Sequence, residues 1–171
     1  MLYRCRVPEH PDQPGRLLAI YLNDHLAGAT AGRELSRRAA ASNRGTSFGP
    51  FLEDLAREVD EDRDSLLAIM RALGIRVDKL KVAGGWGAEK LGRLKLNGRL
   101  LGYSPLSRVV ELEALALGVH GKLAMWRALQ TLEPLPAPLA SAGLPELAAR
   151  AESQLTLLEE HRLRAVTEAL G

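Results

Sequence analysis

Four helical stretches of this chain carry carboxylates and imidazoles near their centres: His25, Glu58 with Asp62, Glu113 with His120, and His161. Carboxylate and imidazole ligands suit iron, manganese or zinc better than they suit soft metals. Residues four or seven apart share a helix face, so Glu58 with Asp62, and Glu113 with His120, could each present two groups to one ion. The candidate metal set is therefore Glu58, Asp62, Glu113, His120 and His161, with His25 as a further ligand. The same residue types also suit a buried polar network that fixes helix register without a metal. In that reading Glu58 and Asp62 pair with Arg57, Arg63 or the basic segment beyond them. His120 is then a neutral core histidine beside Glu113, and His161 belongs to the charged run Glu159-Glu160-His161-Arg162.

The elements that must position these groups are helices. Leu and Ala dominate and aromatics make up only 4% of the chain, which favours helix over sheet. Residues 1–13 read as an irregular arm, and Pro14 suits a helix start, where a missing N–H is no loss. Helix is expected over about 15–42, ending at Asn43-Arg44-Gly45-Thr46, then from Pro50 to about 73, stopped by Gly74. The second helix has the inward stripe Leu55, Val59, Asp62, Leu66, Ile69 and Leu73. A third is expected over about 104–130, with Leu106, Val110, Glu113, Leu117, His120, Ala124 and Ala128 facing in. The Pro-rich stretch 133–138 ends it, and a fourth helix spans about 144–170, with Leu147, Ala151, Gln154, Leu158, His161 and Ala165 inward. Short turns within each pair and a long connection between pairs give an all-α, ferritin-like four-helix bundle. A two-hairpin helical domain of another kind satisfies the same loop lengths.

The connection at 75–104 is basic and rich in glycine. A structureless loop of that length is uncommon in a compact domain, so a helix is expected over about 78–96, with Val82, Trp86, Lys90 and Leu94 along one side. Seven bases between Arg76 and Arg99 face two acids, whereas 53–64 holds seven acids against two arginines. Solvated faces or docking within the fold explain this pattern. The sharper alternative is an anion site at Lys90, Arg93 and Lys95 for a nucleotide or an anionic lipid.

Composition excludes several classes. At 171 residues, 46% apolar and 26% charged, the chain suits one globular domain over 14–171. A net charge of +2 makes nucleic acid an unlikely partner, and no apolar run reaches membrane-spanning length. The lone Cys5 and the lack of a leader pattern fit a soluble cytoplasmic protein. Cys5 lies in the arm, no serine sits in a nucleophile elbow, and Gly84-Gly85-Trp86-Gly87 lacks the Lys-Ser/Thr of a phosphate loop.

The chain resembles the ferritin-like superfamily, in particular the small bacterial stress-associated proteins. Glu58, Asp62 and the run from Leu66 to Leu73-Gly74 match their second helix, with Asp62 where the family has histidine. In the third helix Val119-His120, Lys122 and Trp126 occupy the places of a Glu-His pair, a further Glu and an aromatic. Glu159-Glu160 resembles the acidic pair of the terminal helix. The resemblance implies the bundle fold, a di-iron site in the ancestor and a homodimer. The chain contains no Glu-x-x-His, and Val119 and Lys122 stand where carboxylate ligands would. The expectation is a non-catalytic structural or binding protein with no cofactor. Residual binding of iron, manganese or zinc is the alternative, and anion binding at the basic connection a third.

Overall fold

The computed structural model describes residues 13–79 and 103–171. It is all-helical among these residues: α1 (Gln13–Ser42), α2 (Gly49–Ala72), α3 (Pro105–Gln130), the short α4 (Ala137–Ala140) and α5 (Leu144–Leu170). The four long helices begin and end within two residues of the expected positions. The arm, the expected helix at 78–96 beyond its first residues, and the anion candidates Lys90, Arg93 and Lys95 lie outside the described residues.

Local chemistry sets the ends. Pro50, Pro105 and Pro145 each sit in the first turn of a helix, where the absent N–H breaks no bond. Ser104 caps α3 by accepting from the Ser107 amide at 3.1 Å. Gly74 takes φ 69° after α2, and the Ile75 amide folds back to the Met70 carbonyl at 2.8 Å. A side chain at position 74 would be strained in that left-handed conformation.

The helices pair as two antiparallel hairpins, α1 with α2 and α3 with α5, and α1 also packs on α3. Arg33 on α1 meets Asp60 on α2 at 2.8 Å, and nearer the start of α1 Asn23 donates to the carbonyl of Arg76 at 3.1 Å. The second hairpin carries Arg127–Glu152 at one end and Arg108–Glu168 at the other. Asn43, at the far end of α1, donates to the Tyr103 hydroxyl at 2.7 Å. Asn23 and Asn43 are separated by about 30 Å of helix at 1.5 Å per residue. Residues 76 and 103 are thus tied to opposite ends of α1, and α2 and α3 run in the same direction.

The core is aliphatic: Leu22 and Leu26 from α1, Leu52, Leu55 and Leu66 from α2, Leu112 and Leu129 from α3, Leu158 from α5, with Trp126 fully buried. The stripes expected on α2 and α5 face inward, apart from Leu73 and His161, which are half-buried. That of α3 does not. Leu106, Val110, Glu113, Leu117, His120, Ala124 and Ala128 are all exposed, Leu117 at 73%. The buried face carries Val109, Leu112, Leu115, Val119, Leu123 and Trp126 instead. Both faces of α3 are apolar enough to read as core. Inverting the helix would bury Glu113 and His120 and expose Trp126, its largest apolar side chain, so desolvation decides the orientation.

Candidate functional site

The inverted face of α3 puts Lys122 in the interior. Lys122, 15% exposed, lies between the buried Val119 and Trp126 at three-four spacing, and its amine reaches α2 and α5. There Lys122 Nζ donates to Asp62 Oδ2 and to Gln154 Oε1. Asp62 is 3% exposed, and its other oxygen accepts from Arg150 on α5, the Nε bond measuring 2.8 Å. The Gln154 amide donates to Glu58 Oε2 at 2.8 Å and to Asp62 Oδ2 at 3.3 Å. One buried amide thus bridges an ammonium and two carboxylates, with every polar atom occupied. Burial pushes the Lys122 amine below the ordinary lysine range, and the Asp62 carboxylate opposes that shift.

Of the five expected metal ligands, the structure brings only Glu58 and Asp62 together. Glu113 is exposed and lies 3.8 Å from Arg162, and His120 is exposed on the same outward face. His161 stacks on Phe51, ring centroids 3.8 Å apart, and its Nδ1 lies 2.8 Å from the Leu157 carbonyl. No group of three or more His, Cys, Asp or Glu could hold a metal ion among the described residues. An ammonium and a guanidinium on Asp62 repel a cation and fill the lone pairs a metal would use, so this donor set does not fit a di-metal centre. Neither Arg57 nor Arg63 is among the described partners of Asp62, and most of the basic segment also anticipated lies outside the described residues. Arg57 pairs with Asp54 and Glu61, and Arg63 donates to Thr30.

Beside the network lies a cavity of about 470 Å³ between α1, α2 and α3. Its wall includes Tyr21, His25, Val59, Leu66, Leu115, Met125 and Trp126, with Asp62 and Lys122 at its polar edge. His25 packs edge-on against Tyr21 at 4.6 Å, and burial lowers its pKa against the opposing pull of Asp24. Four helix-interior glycines also line the space: Gly28 and Gly32 on α1, Gly118 and Gly121 on α3. Among the described residues a Cβ added at any of them would meet nothing within 4 Å, so no described neighbour requires a glycine there. Each costs about 0.5–1 kcal/mol of helix stability relative to Ala. What they do is leave room. Trp126 closes part of the wall, and its indole N–H has no acceptor among the described residues. A buried donor left unmatched costs about 1–3 kcal/mol.

A second polar cluster holds the far end of the bundle. Asn43, fully buried, accepts from Arg108 Nε at 2.7 Å and donates to Tyr103 and to the Ala39 carbonyl. Tyr103 donates to Glu111 at 2.9 Å, and desolvation pushes the phenol up to about 12. Phe48 lies between the guanidiniums of Arg108 and Arg164, at 4.2 and 3.9 Å from the ring centre. These contacts join both hairpins.

Comparison with protein-family models, with curated proteins and with solved structures finds no match. No described helix is long and apolar enough to cross a membrane.

Proposed function

We propose that this chain is a non-catalytic binding bundle of ferritin-like descent, in which an ion-pair network stands where the ancestral di-metal centre stood. The observation that carries this reading is the Lys122 amine held between Asp62 and Gln154 at the meeting of α2, α3 and α5. The common direction of α2 and α3, with residues 76 and 103 tied to opposite ends of α1, supports the ancestry. Binding is favoured over a purely structural role because a cavity lined by dispensable glycines adjoins the network. A homodimer belongs to the same proposal, and the outward face of α3, with Leu106, Val110 and Leu117 exposed, supports it.

Elemental analysis tests the reading. Protein incubated with iron(II), manganese(II) or zinc(II) and then desalted should retain well under one ion per chain, with no rise in melting temperature. Retention of one or two ions per chain, abolished by Asp62→Ala, would overturn it. Light scattering on the purified chain tests the dimer, and a monomeric mass at tens of micromolar would remove that part.

A further inference from the structure

We propose that the outward face of α3 is a two-fold interface between copies of this chain, the two helices running antiparallel about Leu117 so that Glu113 of each meets the partner's His120. This rests on the homodimer reading above and assigns its surface and orientation. Leu106, Val110, Glu113, Leu117, His120 and Ala124 are all exposed, and their spacings alternate between four and three residues. That alternation is the seam by which long helices pair. Leu117 is 73% exposed, more than any other large apolar side chain described. Apolar residues exposed singly are ordinary, whereas a continuous stripe of them marks a contact.

The occupant is a second copy because the stripe complements itself when reversed. With the two-fold axis at Leu117, positions equally far to either side face each other: Val110 meets the partner's Ala124, and Leu106 meets the partner's Ala128. Large side chains thus oppose small ones along the seam. Glu113 falls within one residue of the partner's His120, about 1.5 Å of helix rise, and an imidazole N–H donates to a carboxylate whether or not the ring is charged. A parallel pair would instead set Glu113 against Glu113 and alanine against alanine. Glu113 lies 3.8 Å from Arg162, but that guanidinium is held by Glu159 at 2.7 Å, so the Glu113 oxygens keep room for a second donor.

Sedimentation equilibrium on the full chain should show a dimer. Leu117→Lys should raise its dissociation constant by about tenfold or more, while circular dichroism shows the helix content unchanged. His120→Glu places a carboxylate opposite Glu113 and should weaken the dimer about tenfold; adding Glu113→Lys should restore it to within about threefold. In a Cys5→Ser background, Leu117→Cys should link to itself on mild oxidation, whereas Val110→Cys should link only when mixed with Ala124→Cys. A monomeric parent chain overturns this interface together with the homodimer reading. A dimer that Leu117→Lys leaves intact overturns this interface alone and puts the contact elsewhere. Self-linking by Val110→Cys, or a His120→Glu defect that Glu113→Lys fails to rescue, overturns the antiparallel register.

Discussion

Gln154 on α5 and Lys122 on α3 meet in the core, the amide oxygen accepting from the amine while the amide nitrogen turns to Glu58 and Asp62 on α2. A single neutral side chain therefore joins three helices and separates like charges. Gln154→Leu keeps the volume and removes all three bonds. It should lower unfolding free energy by about 1–3 kcal/mol, read from the urea midpoint. A loss below about 0.5 kcal/mol would mean that the amide is not holding the cluster.

The cavity glycines give a prediction of opposite sign. Gly118→Ala adds a methyl into open space within a helix, so stability should rise by about 0.5–1 kcal/mol. Gly74→Ala places a side chain at φ 69° and should fall by about 1–2 kcal/mol. Paired urea melts check both. A destabilised Gly118→Ala would show that the space is occupied in the native protein.

His25 sets a dependence on pH. Burial lowers its pKa in the folded state, so as pH falls below about 6.5 the unfolded chain takes up the proton first. With more protons bound in the unfolded state, stability drops with pH through that window until the folded imidazole also titrates. His25→Phe should flatten the difference in unfolding free energy between pH 7.5 and pH 5.5. An unchanged difference would assign it to other groups.

Asn43 and Tyr103 predict behaviour at the alkaline end. Tyr103 keeps its proton to about pH 12 when folded, against about 10 when unfolded, so stability falls as pH rises through that interval. Tyr103→Phe should remove this alkaline loss. Asn43→Leu removes one hydrogen-bond partner each from Arg108 and Tyr103, and should cost about 3 kcal/mol at pH 7. Melts at pH 7 and pH 11 separate the two effects.

Helix extents were legible because the chain marks them with residues whose backbone chemistry is unambiguous: Pro50, Pro105 and Pro145 at starts, Gly74 at a stop. The faces of α2 and α5 were legible because each has one apolar stripe. On α3 two stripes compete: apolar spacing alone puts Glu113 and His120 inward with Leu106, Val110 and Leu117, whereas their own desolvation turns them out. Lys122 was recognisable as unfit for a metal site, but its role as partner to Asp62 depends on the buried face of α3. Arg150 sits one turn before Gln154 and carries no signal in the sequence, since its role depends on α5 lying beside α2. The cavity has no sequence signature beyond Gly118 and Gly121 around His120, because it is the space three helices leave between them.

The claim on which the rest depends is that a buried ammonium–carboxylate pair unites the hairpins at Asp62 and Lys122. A double-mutant cycle measures it. Asp62→Ala alone should cost about 3–5 kcal/mol, because Lys122 stays buried without its counter-charge. Adding Lys122→Met should recover a large part, giving a coupling of about 2 kcal/mol by urea denaturation at pH 7. Losses that simply add, to within about 0.5 kcal/mol, would contradict the pairing and reopen Asp62 as a group with another task.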